Sequence, residues 1–265
     1  MVSLQALIVR SPSTAIADML TDDVVRFQPR DPVAEAARMF ERYDLVSAPV
    51  VDDRGKLIGR LTVDGVIDFV HYTSGLRELQ NAGLNRDEDL FASPWESARN
   101  RWPWLGVNLV TAFVASRVIG RFEGTIQQLA ALAALMPVVA SVGGNTGNQT
   151  MVLVIRGFAM DRIQVSGTRR LLAKELTVGI LNGSVWGLVV GIAATLIYSS
   201  VALGAVMAAA VVLNLIGAAL SGVAIPVGLQ AGGYDPAHGS SVLLTFVTDA
   251  MGFFLFLGLA TALLL

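Results

Sequence analysis

The residues best suited to chemistry lie in the last apolar stretch of the chain, SSVLLTFVTDAMGFFLFLGLA. Ser241, Thr245 and Asp249 follow one another at four-residue intervals, so they share one face of a helix. A carboxylate inside an apolar span is costly unless it faces protein, water or an ion. The polar stripe therefore predicts the wall of a pore or cavity. Two alternatives for Asp249 are a protonated carboxyl group that hydrogen-bonds between helices and a proton relay.

A second polar segment, GGNTGNQT at residues 143–150, also lies inside an apolar stretch. A preceding proline and the paired Gly143 and Gly144 predict an interruption of the helix, where backbone carbonyls turn toward a central space. Asn145 and Asn148 add amide oxygens. Oxygen dipoles opposite a carboxylate from another span are typical of a site for a hard cation.

Mg²⁺ suits such a site because it prefers oxygen ligands and sheds its waters reluctantly. Carbonyl and amide oxygens can then accept hydrogen bonds from the bound waters. One Asp249 supplies a single negative charge, whereas a two-fold dimer with both copies at its axis supplies two. The sequence thus leads to the hypothesis of a homodimer around a hydrated divalent cation.

The composition is that of a membrane protein with a polar amino-terminal part. The chain has 265 residues, of which 54% are hydrophobic and 15% charged, which is too apolar for an ordinary soluble protein. The net charge of −2 provides no basic surface for nucleic acid. Five stretches match the ~20 residues that cross a bilayer, and they cover residues 103–120, 127–158, 175–199, 201–230 and 239–265.

Basic residues predict the orientation of these spans. The loop between the second and third spans carries Arg156, Arg162, Arg169, Arg170 and Lys174. The positive-inside rule makes this loop cytoplasmic. The protein is thus predicted to cross the cell (inner) membrane five times. Its amino terminus is then in the cytoplasm and its carboxyl terminus is outside. Arg117 and Arg121 fall on the predicted outer side and argue against this orientation. The five basic residues of the cytoplasmic loop outnumber them.

Small and amide side chains predict how the spans pack. The third span has a glycine at every fourth position, at Gly179, Gly183, Gly187 and Gly191. Such a stripe lets another helix approach closely. Single asparagines occur in the first, third and fourth spans, at Asn108, Asn182 and Asn214. We expect these amides to hydrogen-bond between helices.

The amino-terminal part reads as a small α/β unit with the order β-α-β-β-α over residues 14–70, in which the runs DVVRFQ, SAPVVD and LIGRLTV are the predicted strands. Asp31 is the expected N-cap of its first helix and Pro32 the expected N1 residue. The run VVDDRGKLIGRLTVDGVID resembles a cystathionine-β-synthase (CBS) regulatory domain. We expect residues 1–72 to form a partial tandem CBS region with one complete copy, followed by a linker at residues 73–101.

Two long motifs resemble the MgtE family of magnesium channels and transporters. They are P-x5-GGNxGNQ at Pro137–Gln149 and TDxxGFFxFLGLA at Thr248–Ala260. The resemblance implies a five-span, all-α membrane domain at residues 102–265, preceded by the small cytoplasmic CBS-like domain. It also implies a homodimeric pore that admits Mg²⁺ passively, with Asp249 holding the hydrated ion.

The family resemblance also implies regulation by acidic residues. Asp235 matches a position at which bound Mg²⁺ locks the pore shut, and Asp68 lies where another acid is expected. The sequence departs from the family pattern because the amino-terminal superhelical domain and most of the first CBS copy are not found in it. We therefore expect weak or absent closure by internal Mg²⁺. Gly65 stands where nucleotide-binding CBS domains usually carry Asp, which argues against nucleotide binding.

Other functions differ in the residues that they require. An intramembrane metalloprotease needs a His-Glu-x-x-His motif, which the sequence lacks. The chain is therefore predicted not to be an enzyme. A chloride channel would avoid a central carboxylate. A non-conducting CBS-type membrane sensor and a proton-coupled carrier of divalent metals remain the alternatives to a passive pore.

Overall fold

The structure is a computed structural model, and it describes residues 2, 8–11, 13–19, 24–81, 84, 90–160, 163, 167–237 and 239–265. The chain divides into two compact units, Met1–Arg77 and Glu78–Leu265. The first unit holds a small two-stranded sheet with helices, and the second is entirely helical in its described part.

The first unit is built around an antiparallel pair of strands. A 3-10 turn covers Ile16–Met19, and the chain continues through α1 (Val33–Arg42), β1 (Ser47–Val51), β2 (Leu57–Thr62) and α2 (Val63–Asn81). Ser47 pairs with Thr62, and a bulge interrupts the register between Val50 and Val51. The helix and the two later strands thus occur where the sequence predicts them. The small core consists of Phe27, Ala36, Phe40, Ala48 and Val66.

Two local predictions for the first unit are wrong. The first strand is reduced, in its described part, to one parallel bridge between Phe27 and Val50. Helix α1 begins at Val33, so Pro32 occupies the N-cap position instead of N1, and Asp31 is not the N-cap. The Asp31 carboxylate instead accepts a hydrogen bond of 2.7 Å from the backbone N–H of Gln28. The aspartate therefore stabilises the turn before the helix, and Pro32 ends that turn with an extended backbone.

The second unit consists of five long helices and one short helix within its described residues. They are α3 (Pro94–Gly120), α4 (Glu123–Gln128), α5 (Ala131–Ala159), α6 (Thr168–Tyr198), α7 (Val201–Ala231) and α8 (Ser240–Leu264). Ser93 caps α3, because its side chain accepts a hydrogen bond of 3.3 Å from the backbone N–H of Glu96. Helices α6 and α7 form a tight hairpin through Ser199, which has a φ of +50°, and Ser200.

Four of the described helices, α3, α6, α7 and α8, are long and apolar enough to cross a membrane. Helix α5 has 29 residues and is therefore long enough, but its polar segment GGNTGNQT lowers its mean hydropathy. The predicted count of five spans is not confirmed by length and composition. Helix α7 is the most buried of these four helices, and it packs against α5, α6 and α8.

The glycine stripe of α6 packs against α7, as the sequence predicts. A Cβ atom added at Gly183 would lie 3.1 Å from the Cα of Val212, and one at Gly187 would lie 2.9 Å from the carbonyl oxygen of Ala208. Both neighbours are backbone atoms, which cannot move without moving the helix. The glycines therefore allow the two helix backbones to touch.

Candidate functional site

The segment GGNTGNQT does not break its helix. Residues 143–150 are helical throughout, in the middle of α5. The predicted interruption, with carbonyls turned toward a central space, is therefore wrong. Pro137 also lies inside the helix, where its missing N–H removes one backbone hydrogen bond without ending α5. Any oxygen that this segment offers to an ion comes from its side chains or from a helical backbone.

The two faces of this segment have different environments. Gly143, Gly147 and Thr150 are buried, whereas Asn145 and Asn148 are exposed. The small residues thus face the helices of the same unit. The two asparagine amides form no hydrogen bond with any other residue that the structure describes. They are available to water, to an ion or to a second chain.

The amide of Asn214 fills the space beside Gly143. Asn214 belongs to α7, is fully buried, and donates a hydrogen bond of 2.8 Å from Nδ2 to the carbonyl oxygen of Val139. A Cβ atom added at Gly143 would lie 2.9 Å from its Cγ and closer still to its Nδ2. A Cβ atom at Gly252 of α8 would lie 2.8 Å from the same Nδ2. One asparagine thus requires a glycine in each of the two motifs.

The other asparagines have different roles. The prediction of an interhelical hydrogen bond is confirmed for Asn214 only. Asn108 donates a hydrogen bond of 3.0 Å to the carbonyl oxygen of Trp104, one turn earlier in its own helix. Asn182 is exposed and has no hydrogen bond to a described residue.

Helix α8 carries Asp249 on a partly exposed face. Asp249 and Ser241 are partly exposed and Thr245 is exposed, so the predicted stripe borders the open surface of the unit. Thr245 donates a hydrogen bond of 2.9 Å to the carbonyl oxygen of Ser241. Neighbouring Thr248 is fully buried and bonds to carbonyls of its own helix. No described residue pairs with the carboxylate of Asp249 or donates a hydrogen bond to it.

The two polar segments lie at the same level of adjoining helices. A Cβ atom at Gly144 would lie 3.9 Å from the hydroxyl oxygen of Thr248, the residue before Asp249. One at Gly147 would lie 2.9 Å from a methyl carbon of Leu244. The structure therefore brings the segment of α5 next to the segment of α8 that holds the carboxylate.

A second carboxylate in this unit is buried. Glu175 of α6 is 4% exposed. Its Oε2 accepts a hydrogen bond of 2.9 Å from the hydroxyl group of Thr150, and its Oε1 lies 2.9 Å from the ammonium group of Lys174. Thr150 is the last residue of GGNTGNQT, so Glu175 fastens this segment to α6. The sequence gives no sign of this role, because Glu175 directly follows a run of basic residues that ends at Lys174.

The two predicted regulatory acids are both exposed. Asp235 lies between α7 and α8, where its carboxylate accepts a hydrogen bond of 2.9 Å from the backbone N–H of Ala237. Asp68 lies on α2 in the first unit. No group of three or more acidic, histidine or cysteine residues that could hold a metal ion occurs among the residues that the structure describes.

Both parts of the chain match models of known protein families. Residues 136–259 match the MgtE family model, which is described as a divalent cation transporter. Residues 136–259 form an MgtE domain. Residues 16–72 match the CBS domain model, so a CBS domain precedes the MgtE domain. Both predicted resemblances are thereby confirmed, and the helices of the site, α5, α7 and α8, all contribute to the MgtE domain.

Three curated relatives are similar along nearly the whole chain, and each carries the name magnesium transporter MgtE. The protein from Bacillus subtilis (strain 168) is 31% identical over 98% of this chain and 58% of its own length. The protein from Thermus thermophilus is 33% identical over 99% of this chain and 58% of its own length. The protein from Enterococcus faecalis is 28% identical, over 98% and 57%. The chain thus spans somewhat more than half the length of these relatives, whose names describe a transporter rather than an enzyme.

Proposed function

We propose that this chain carries divalent cations, chiefly Mg²⁺, passively across the cell membrane along the adjoining polar faces of α5 and α8. The observation that carries the proposal is the partly exposed Asp249, whose carboxylate has no partner among the described residues. An unpaired carboxylate in an apolar helix is stable only if an ion, water or another chain neutralises or solvates it. A cation on its way through the protein meets this need.

The exposed asparagines of α5 supply the second part of the pathway. Asn145 and Asn148 offer amide oxygens one helix away from Asp249, and they too would be costly against lipid. A hydrated Mg²⁺ uses such oxygens as acceptors for the hydrogen bonds of its waters. In this proposal Gly144, Ser241 and Thr245 border the same pathway, and α5 crosses the membrane as the second of five spans.

A homodimer completes the proposed pathway. The polar faces of α5 and α8 are uncovered in the single chain, and a second copy related by a two-fold axis covers both at once. Two copies of Asp249 then balance the charge of one divalent ion. The names of the three relatives and the family description support magnesium as the cargo. Asp235 and Asp68 are the candidates for regulation by internal Mg²⁺.

Replacing Asp249 tests the proposal directly. The purified chain is placed in liposomes that contain a Mg²⁺-sensitive dye, and uptake is measured under a Mg²⁺ gradient. We expect Asp249→Ala and Asp249→Asn to reduce uptake to the rate of empty liposomes. Glu123→Gln, which removes an exposed carboxylate of α4, is the matched control and should conduct normally.

The outcome also separates the alternative functions. Normal uptake by both Asp249 variants would refute the pathway. Proton movement that accompanies uptake, detected with a trapped pH dye, would favour a proton-coupled carrier. No uptake by the unsubstituted chain in any divalent gradient would favour a membrane sensor.

A further inference from the structure

A groove between α3 and α8 contains two basic residues that the proposed pathway does not use. It has a volume of about 350 Å³ and is lined by Val114, Arg117, Val118, Arg121, Phe122 and Phe254. All of these residues belong to the second unit. The groove combines a basic edge with an apolar wall.

The basic edge has no anionic partner in the described part of the chain. Arg117 and Arg121 are four residues apart at the end of α3, so both guanidinium groups lie on one side of the helix. Both side chains are exposed, and neither guanidinium group forms an ion pair or hydrogen bond with a described residue. The nearby Glu123 carboxylate instead accepts a hydrogen bond of 3.2 Å from Gln127. Neither guanidinium group is therefore paired with a carboxylate among the described residues.

The apolar wall is formed by side chains from both helices. The rings of Phe122 and Phe254 meet edge to face, with centroids 6.1 Å apart. Val114 and Val118 continue the wall along α3 toward the middle of the helix. A small inorganic anion would satisfy the arginines but leave this wall uncovered. A ligand that matches the whole groove has an anionic head and a hydrocarbon chain.

The length of α3 places the arginines at the edge of the hydrocarbon layer. From Arg101 to Arg117 the helix rises about 24 Å, which is less than the ~30 Å thickness of the hydrocarbon core. The Arg117 side chain must therefore extend toward the lipid headgroups. An unpaired guanidinium group is costly at this depth. A phosphate group can pair with it, because the planar guanidinium group donates two parallel hydrogen bonds to phosphate oxygens.

We propose that the groove binds one acidic phospholipid, with its phosphate group on Arg117 and Arg121 and an acyl chain along Val114, Val118 and Phe254. Such binding gives a function to the two basic residues that lie away from the basic loop before α6. It is independent of the ion pathway, since none of the lining residues belongs to it.

Lipid binding to the purified full chain tests the proposal. Native mass spectrometry measures the affinity for phosphatidylglycerol, for zwitterionic phosphatidylcholine with the same acyl chains, and for soluble glycerol 3-phosphate. We expect phosphatidylglycerol to bind most tightly and glycerol 3-phosphate not to displace it. The double variant Arg117→Gln/Arg121→Gln should bind phosphatidylglycerol about 25-fold more weakly, which is about fivefold for each basic residue.

Two further variants control the experiment. Arg169→Gln/Arg170→Gln removes the same charge from the start of α6, away from the groove, and should leave lipid affinity unchanged. Phe254→Ala removes part of the apolar wall and should weaken both lipids alike. Unchanged phosphatidylglycerol affinity in the Arg117/Arg121 variant would overturn the proposal. Efficient competition by glycerol 3-phosphate would also overturn it, because it would indicate a site for free phosphate. Loss of the dimer in the Arg117/Arg121 variant without loss of lipid would overturn it as well, because it would indicate a contact between copies of the chain.

Discussion

Alanine at position 143 should destabilise the MgtE domain, whereas alanine at position 144 should not. The two glycines are adjacent in GGNTGNQT, but they meet different surroundings. A Cβ atom at Gly143 would lie 2.9 Å from the Cγ atom of Asn214, well inside the ordinary carbon–carbon contact distance of ~3.5–4.0 Å. At Gly144 the nearest atom, the hydroxyl oxygen of Thr248, is 3.9 Å away.

The magnitude follows from what the Asn214 amide must give up. To make room at Gly143 it must leave its 2.8 Å hydrogen bond to the carbonyl oxygen of Val139. An unsatisfied buried amide costs about 1–3 kcal/mol, and overpacking costs a similar amount. The better helix propensity of alanine offsets up to about 1 kcal/mol. We expect Gly143→Ala to lower the free energy of unfolding by about 1–5 kcal/mol, and Gly144→Ala to leave it unchanged or raise it by up to about 1 kcal/mol.

Thermal unfolding of the purified chain in detergent measures the difference. At roughly 2–4 °C for each kcal/mol, Gly143→Ala should lower Tm by about 2–20 °C. In the double variant Gly143→Ala/Asn214→Ala the obstructing amide is gone, so its loss should be smaller than the sum of the two single losses. Equal effects of alanine at positions 143 and 144, or strict additivity with Asn214→Ala, would show that Asn214 does not obstruct a side chain at position 143.

Two further predictions concern contacts of α6. Thr150→Val removes the hydroxyl donor to buried Glu175 and should lower the free energy of unfolding by about 1–3 kcal/mol; Thr177→Val, whose hydroxyl group bonds only within its own helix, should have little effect in the same thermal assay. Gly187→Ala places a methyl group 2.9 Å from a backbone carbonyl of α7 and should cost about 1–3 kcal/mol. Gly228→Ala, with no atom within 4 Å, is its control, and equal Tm losses would contradict the packing argument.

The sequence by itself determined most of the secondary-structure elements and which of them are apolar. The two adjacent strands at Ser47–Val51 and Leu57–Thr62, the long apolar helices and the glycine face of α6 are all visible in it, because each depends on a short-range periodicity. Its two long motifs also identify the MgtE domain. The first strand of the CBS region was harder to predict, since a strand needs partners that local sequence does not specify.

Sequence alone also determined that a carboxylate would lie in the last helix on a face with Ser241 and Thr245. It could not determine the conformation of GGNTGNQT. Glycine, asparagine and proline favour breaks in a peptide, but the neighbouring helices of the MgtE domain override this local preference. Gly143 and Gly147 fit against α7 and α8, so the small residues that predict an interruption instead allow a continuous helix to pack.

Only the tertiary structure distinguishes residues that look alike in the sequence. Gly143 and Gly144 are identical in the sequence, yet only Gly143 borders Asn214. Glu175 reads as one charge among several, yet it is buried against Thr150. These distinctions depend on contacts between residues many positions apart along the chain. Such contacts are fixed by how whole helices pack, and a pattern that repeats every three or four residues carries no information about the helix on the other side.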